Sequence, residues 1–132
     1  MLNDAVIRKV IQMAEQDPNI DVLWIYGSRA KLTAQDNSDY DFAVAFATMP
    51  RNAWDKRLQS EMLAFEWCES LNLPEKQISV ADINQIPLPL AMSVVTTGQV
   101  LLVKNSLRLA REENRITSMW EIDYRYHLQH YG

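Results

Sequence analysis

The segment DYDFAVAF, residues 39–46, constrains the fold more than any other part of the chain. Small or acidic residues alternate in it with bulky apolar ones, a period typical of a β-strand, whose side chains point alternately to its two faces. One face carries Asp39, Asp41, Ala43 and Ala45, and the other carries Tyr40, Phe42, Val44 and Phe46. Because the bulky face belongs in a core, we expect the small face with its two aspartates to line a cleft.

Two carboxylates two positions apart on a strand also indicate that the chain can bind a cation. Their Cα atoms lie about 6.5–7 Å apart on one face, so both can bind one cation or a pair of cations about 3.5–4 Å apart. Without a cation, two ionised carboxylates in a poorly solvated sheet would be unfavourable. Mg²⁺ prefers oxygen ligands, commonly one or two carboxylates together with substrate phosphates. We therefore predict that Asp39 and Asp41 are metal ligands and catalytic residues.

The preceding segment offers a place for those phosphates. Residues 22–26 form a short apolar run typical of a buried strand, and Gly27 and Ser28 follow it. A glycine lets the backbone approach a ligand, a serine supplies a hydroxyl, and N–H groups at a helix start can point at an anion. Arg29 and Lys31 add positive charge nearby. We predict that Gly27, Ser28 and Arg29 bind a nucleotide; the alternative is an ordinary turn beside two solvated aspartates.

Helices and strands are expected to alternate along the chain, which favours an α/β (α+β) domain with helices flanking a small mixed sheet. Periodicity and caps predict helices over about 4–16, 29–33, 48–71, 87–97 and 106–131, and either Asn3 or Asp4 can cap the first of them. Strands are predicted over 22–26, 39–46 and 77–83, with a short strand or an extended segment over 100–103. Gly98 is expected to end the fourth helix as a C′ residue. The stripes expected in the core are Trp54, Leu58, Met62 and Phe65 on the third helix, and Ala110, Trp120, Tyr124 and Leu128 on the last.

Composition limits the classes of function. The 132 residues are expected to form a single domain, residues 1–132. A net charge of −4 argues against broad nucleic-acid affinity. No apolar run approaches the ~20 residues of a membrane span, and the charged first helix does not resemble a signal peptide. The single cysteine, Cys68, favours a reducing, cytoplasmic location.

The motif that joins these features resembles a known signature. Gly27-Ser28, ten residues, and then Asp39-Tyr40-Asp41 is similar to the signature of the minimal nucleotidyltransferases, relatives of the β-type DNA polymerase superfamily. The segment IPLPLAMSVVTTGQVLLVKN, residues 86–105, resembles the stretch after the third core strand in MNT-domain antitoxins of the MntA type. Such antitoxins are encoded beside HEPN-domain ribonuclease toxins. The segment YGSRA and the length of the chain also fit, so the resemblance covers most of it.

The resemblance implies a minimal nucleotidyltransferase fold and an antitoxin that moves AMP from ATP, in Mg²⁺, onto a tyrosine of a cognate HEPN toxin. By motif position, Asp39 and Asp41 would bind the metal ions, and Gly27 and Ser28 would hold the triphosphate. The family's third carboxylate lies on a neighbouring strand, where the resemblance offers Asp82 as a third metal ligand, although the alignment could equally place Ser79 at that position. Since these two residues have opposite strand parity, only one of them can face the metals. Neither direct nucleic-acid binding nor a membrane partner is expected.

Two other functions fit parts of the sequence. One is nucleotidyl transfer to a small molecule such as an aminoglycoside, although enzymes of that kind generally add a helical region to hold the acceptor. The other is a non-catalytic antitoxin that acts by binding alone and would not need the two aspartates. Elsewhere, Arg108 and Arg111 beside Lys104 fit either phosphate contacts or a solvated helix start. His127 and His130 are expected to be solvated or to face a partner.

Overall fold

Helices and strands alternate strictly in the computed structural model, which describes residues 4–35 and 38–131. The helices are α1 (Ala5–Gln16), α2 (Gly27–Ala30), α3 (Ala53–Ser70), α4 (Leu88–Thr97) and α5 (Ser106–Tyr131). The strands are β1 (Ile20–Tyr26), β2 (Tyr40–Phe46), β3 (Ile78–Asp82) and β4 (Gln99–Val103). They form one four-stranded sheet in the order β3-β2-β1-β4. Because β1 runs antiparallel to β2 and β4 while β2 runs parallel to β3, the sheet is mixed, and the α+β prediction is confirmed.

Side-chain caps define where the first and third helices begin. Asp4 caps α1, since its Oδ1 accepts hydrogen bonds from the backbone N–H groups of Val6 and Ile7 at 2.8 and 3.3 Å. The other predicted cap, Asn3, lies outside the described residues. Asn52 caps α3 by accepting from Asp55 N at 2.8 Å, so this helix begins later than predicted. None of the described helices combines the length and apolarity that crossing a membrane requires.

Helices cover both faces of the sheet. On one face, α1 and α3 pack on the bulky side chains of β2, as the alternating pattern predicts. On the other face, α4 and α5 pack on Ala43 and Ala45, which are fully buried. The prediction that the whole small face lines a cleft was therefore wrong. The physical reason is that Val22 and Trp24 of β1 share this face, and their large apolar side chains also require cover.

The predicted core stripes of the two long helices were wrong as well. Trp54, Met62 and Phe65 of α3 are 66%, 59% and 56% exposed, whereas Leu63, Trp67 and Cys68 are buried. Both sets recur at helical spacing, so periodicity alone cannot choose between them. On α5, the exposed side chains include Ala110, Trp120, Tyr124 and Leu128, and the buried ones are Glu112 and Ile116.

Length explains the exposure of α5. Its 26 residues span about 39 Å at 1.5 Å per residue, whereas a seven-residue strand spans about 23 Å. The C-terminal half of the helix therefore extends beyond the sheet, and its described side chains are exposed.

Gly98 ends α4 as predicted, since its N–H donates to the carbonyl oxygens of Ser93 and Val94 at 3.2 and 3.1 Å, and it also serves a second purpose. Its backbone is extended (φ −77°, ψ 177°) rather than left-handed. A Cβ atom at this position would overlap the carbonyl oxygen of Val94 and lie 2.9 Å from that of Ile25. The glycine therefore permits a close approach between the end of α4 and strand β1.

Candidate active site

The two predicted metal ligands lie at the start of β2. Asp41 is the second residue of the strand, opposite Tyr26 of β1, and Asp39 directly precedes the strand. Asp41 is partly buried and Asp39 is exposed. Burial raises the pKa of Asp41, and the negative charge of Asp39 raises it further. The two carboxylates are thus close enough to repel each other, and a cation bound between them would relieve that repulsion.

Gly27 packs directly against the carboxylate of Asp41. It has a left-handed backbone (φ +72°), and a Cβ atom at this position would lie only 2.6 Å from Oδ2 of Asp41. The turn that follows is closed by backbone hydrogen bonds, from Lys31 N to Gly27 O at 3.2 Å and from Thr33 N to Ser28 O at 3.0 Å. The structure therefore brings the glycine-serine turn and Asp41 together, and the backbone lines the space beside the carboxylate.

Replacing Gly27 by alanine is expected to lower the nucleotidyl transfer that the sequence predicts by about 10²-fold, because the new methyl group displaces the Asp41 carboxylate and the φ angle is strained. The measurement is the initial rate of label transfer from ATP labelled at the α-phosphate. Thermal unfolding serves as the control, since the variant should still melt cooperatively. A variant that transfers label at the wild-type rate would contradict the close packing described above.

Arg29 lies away from the carboxylates. Its guanidinium carbon stacks 3.7 Å from the ring centroid of Tyr40, whose side chain is on the α1/α3 face, opposite to Asp41. One terminal nitrogen donates to Ser38 O at 2.7 Å, and the other lies 3.5 Å from Oδ2 of Asp4. These contacts tie the segment before Asp39 to the start of α1. The structure thus does not bring Arg29 to the phosphate position, and its contacts favour a role in holding the loop.

Tyr40 belongs to the same cluster. Its hydroxyl donates to Oδ2 of Asp4 at 2.8 Å. Burial, this hydrogen bond and the charge of Asp4 raise the pKa of Tyr40 to about 12, against the opposing effect of Arg29. The phenol therefore remains a protonated donor at neutral pH.

The parallel pairing of β2 and β3 decides between the two candidates for the third position. Ser79 lies opposite Asp41, whereas Asp82 lies opposite Val44, three residues and about 10 Å farther along the strand. Asp82 is 2% exposed and shares the α1/α3 face with Val44, away from Asp41. The structure does not bring Asp82 together with Asp39 and Asp41, which argues against its predicted role as a metal ligand.

Asp82 instead has a structural environment. Its Oδ1 accepts from Asn84 N at 2.9 Å, while its Oδ2 is buried without a hydrogen-bond partner among the described residues. Burial raises the pKa of Asp82, against the opposing effects of the Asn84 N–H and the Arg108 charge. The ionised carboxylate therefore costs stability in the folded state.

Replacing Asp82 by asparagine is expected to leave the free energy of unfolding at pH 7 unchanged or to raise it by up to about 1–3 kcal/mol. A carboxyl group with a raised folded-state pKa contributes stability below its unfolded pKa and loses it as the pH rises through the folded pKa. The advantage of the asparagine variant should therefore shrink as the pH falls. Urea unfolding between pH 4 and 7 measures this, and an advantage that grows in acid would contradict it.

A buried polar network that the sequence did not reveal connects α5 to the far end of the sheet. Glu112 is 6% exposed, and its oxygens bind Arg108 at 3.0 Å, Arg115 at 2.8 Å and Asn84 at 2.9 Å. Burial alone would raise the pKa of Glu112, but the hydrogen bonds from Asn84, Arg115 and Arg108 together lower it. The i,i+4 spacing of Arg108 and Glu112 was the available sign of this network in the sequence. Because exposed ion pairs on helices have the same spacing, it does not indicate burial.

The contacts of Arg108 and Lys104 argue against the predicted option that these two residues contact phosphates. Arg108 donates to the carbonyl oxygen of Phe46 at 2.8 Å, at the end of β2 opposite to Asp41. Lys104 donates to carbonyl groups near the end of α1, including Ala14 O at 2.8 Å. Their side chains therefore hold helices in place and do not reach the predicted phosphate site.

At this site, the described residues provide two carboxylates that can bind a metal ion. Residues 4–35 and 38–131 contain no group of three or more His, Cys, Asp or Glu side chains placed to hold a metal ion. A pair of carboxylates beside a backbone-lined space fits Mg²⁺, which completes its coordination with water and substrate phosphates. The aspartate pair and the Gly27 turn are thus chemically suited to a magnesium–nucleotide complex.

Comparisons with solved structures identify proteins that share the fold of this chain. A chain from a toxin–antitoxin crystal structure with AMP-PNP superposes with a TM-score of 0.71 and 21% identity, covering 96% of this chain and 94% of that chain. A chain from the tri-AMPylated Shewanella oneidensis HEPN toxin in complex with MNT antitoxin gives 0.67 and 18%, covering 94% and 91%. A chain of the toxin–antitoxin MntA-HepT gives 0.66 and 19%, covering 94% and 92%.

Identities this low show a shared fold. No curated protein matched the sequence significantly. The family model described as polymerase beta, nucleotidyltransferase, matches residues 8–107, which include the Gly27 turn, Asp39 and Asp41. This chain therefore belongs to the polymerase β nucleotidyltransferase family.

Proposed function

We propose that this protein is an antitoxin that transfers AMP from ATP to a tyrosine of a HEPN-domain toxin and thereby silences its ribonuclease activity. The observation that carries the proposal is the contact between the Gly27 backbone and the carboxylate of Asp41, with Asp39 beside it. Family membership supports nucleotidyl transfer. The solved relatives support the acceptor, since one contains AMP-PNP and another a tri-AMPylated toxin with its MNT antitoxin.

Different residues of this chain would bind the metal ion and the nucleotide. Asp39 and Asp41 would hold Mg²⁺, while the backbone at Gly27 and the hydroxyl of Ser28 would contact the triphosphate. Bound Mg²⁺ would supply charge neutralisation for the phosphate oxygens. A glycine is required at position 27 because any side chain would fill the space between the turn and Asp41.

The transfer is a single in-line substitution. The tyrosine oxygen forms a bond to the α-phosphorus of ATP, the bond from that phosphorus to the bridging oxygen of the β-phosphate breaks, and pyrophosphate leaves with the electron pair. The phenol proton passes to a carboxylate at the site, and Asp41, which lies opposite Ser79 of β3, is the candidate for this base. Positioning and electrostatic stabilisation supply most of the rate in such reactions.

Transfer to a small molecule and neutralisation by binding alone remain the competing functions. The first predicts transfer to an added aminoglycoside without any protein acceptor. The second predicts that the antitoxin protects against the toxin without Asp39 and Asp41.

The test uses ATP labelled at the α-phosphate, Mg²⁺, this protein and the HEPN-domain protein encoded beside it. Label on the partner's tyrosine, together with loss of its RNA cleavage, is the expected result. Omitting Mg²⁺ should abolish the label. Neutralisation without label would establish the binding-only function, and label on an aminoglycoside instead of the partner would establish the small-molecule function.

A further inference from the structure

Among the residues that the structure describes, no strand pairs with the outer edge of β3, next to the candidate active site. It is the outermost strand of the sheet, and its inner neighbour β2 carries Asp41. Tyr40 N donates to Gln77 O at 2.8 Å, and Ile83 N donates to Val44 O at 3.0 Å. In a parallel ladder, alternate residues of a strand bond to the same neighbour. The odd-numbered residues therefore face β2, and the backbone groups of Ile78 and Val80 point outward.

An open pocket of about 430 Å³ lies along this edge, between β3 and α3. Its apolar wall includes Ala64, Phe65 and Val80, and Phe65 is 56% exposed although it is aromatic. Ser79 also lines the pocket and is the residue opposite Asp41. The pocket is thus on the α3 face of β3 and borders the strand position whose side chain shares the opposite face with Asp41.

We propose that an extended segment of the acceptor protein adds to the outer edge of β3 as a fifth strand. Its acceptor tyrosine would lie over Ser79, and an adjacent apolar residue would occupy the pocket beside Phe65. The proposal rests on the proposed function, because the segment belongs to the protein that receives AMP. Edge addition of this kind obtains affinity from backbone hydrogen bonds and specificity from pockets for alternate side chains.

Strand geometry explains why the residue that accepts AMP would be a tyrosine. A strand added beside β3 lies about 10 Å from β2, two strand spacings away. A tyrosine is long enough to carry its hydroxyl across β3 towards Asp41, whereas serine and threonine are too short. The small, exposed side chain of Ser79 leaves this path open.

The same geometry specifies the neighbouring residue of the segment. Side chains alternate between the faces of a strand, and Ser79 and Val80 point to opposite faces of the sheet. The residue directly before or after the tyrosine therefore points towards the pocket and should be apolar. Glu61 and Glu75 outnumber Lys76 in the pocket lining, so a basic residue nearby in the segment would be favoured.

Two variants test the edge, and one serves as a matched control. Val80→Pro removes an outward N–H without taking a hydrogen bond from the ladder with β2, and proline is tolerated at such edge positions. Phe65→Arg places charge in the pocket. Met62→Arg is the control, because Met62 is on the same helix, is similarly exposed at 59% and does not line the pocket.

The kinetic readout is the KM for the HEPN-domain protein encoded beside this chain. Val80→Pro and Phe65→Arg should raise it about tenfold, the effect of losing roughly 1.4 kcal/mol of binding, while Met62→Arg leaves it unchanged. Binding of a fluorescent ATP analogue should be equal in all four proteins. Unchanged KM values in the first two variants would overturn the edge-addition proposal and leave the proposed function intact.

Hydrogen exchange separates the two proposals further. In the complex with the same HEPN-domain protein, the amides of Ile78 and Val80 should become protected, and those of the opposite edge strand β4 should not. This readout does not depend on transfer, so it decides the edge proposal even if the wild-type protein transfers no AMP. Absence of protection at Ile78 and Val80 would overturn it.

Discussion

Replacing Asp39 and Asp41 together by asparagine is expected to lower AMP transfer by about 10³-fold or more. Asparagine keeps the size of the side chain but removes the negative charge that holds a divalent cation. Losing one preorganised electrostatic contact in an active site typically costs 10²–10³-fold, and this double variant removes both carboxylates. The measurement is the initial rate of label transfer to the partner protein under saturating ATP and Mg²⁺.

The double variant should nevertheless fold. The pKa of Asp41 is raised by burial and by the charge of Asp39, so the ionised pair lowers the stability of the metal-free protein. A raised carboxyl pKa means that stability is lost as the pH rises through it, and the asparagine variant avoids that loss. Without Mg²⁺ at pH 7 its Tm should therefore equal or exceed that of the wild type. Adding Mg²⁺ with an ATP analogue should raise the Tm of the wild type alone.

Asp82→Asn is the control for this experiment, since it removes one acidic charge from the same sheet by the same aspartate-to-asparagine change. Because Asp82 lies opposite Val44 and not opposite Asp41, this variant should keep transfer within about threefold of the wild-type rate. If Asp82→Asn instead abolished transfer while Asp39→Asn/Asp41→Asn did not, the site proposed at the start of β2 would be wrong.

Replacing Glu112 by alanine is expected to lower the free energy of unfolding by about 3–5 kcal/mol. Glu112 is buried and binds Arg108, Arg115 and Asn84, so its loss leaves charged and polar groups without their acceptor. Arg108 also binds Phe46 O, and Arg115 binds Ile83 O at 3.1 Å, so the network fastens α5 to the ends of β2 and β3. Urea unfolding at pH 7 measures the change.

Glu113→Ala provides the comparison, because Glu113 is the next residue of the same helix and is exposed. It should change stability by less than about 0.5 kcal/mol. Because the pKa of Glu112 is lowered in the folded state, Glu112 stabilises the protein above its unfolded-state pKa. This stabilisation is lost as the pH falls through the folded-state pKa. The difference between the wild type and Glu112→Ala should therefore decrease in acid, and equal stabilities at pH 7 would show that the network does not hold α5.

The amino-acid sequence by itself determined the local features of this protein. The alternation in residues 39–46 predicted strand β2 and the faces of Phe42 and Asp41, because a strand turns each successive side chain by half a revolution. Asp4 marked the start of α1, because a cap bonds residues two and three positions away. The spacing from Gly27 to Asp41 indicated the candidate site, since Gly27 directly follows strand β1 and Asp41 lies near the start of its antiparallel neighbour β2.

Only the tertiary structure decided which distant residues meet. The register of β3 against β2 placed Ser79, and not Asp82, beside Asp41, and no local pattern specifies a parallel register. Packing against the sheet chose Trp67 over Trp54 as the buried tryptophan of α3. It also turned Arg29 towards Tyr40 and buried Glu112. Each of these outcomes depends on which surfaces compete for burial and on contacts between segments far apart in the chain, which periodicity and capping do not encode.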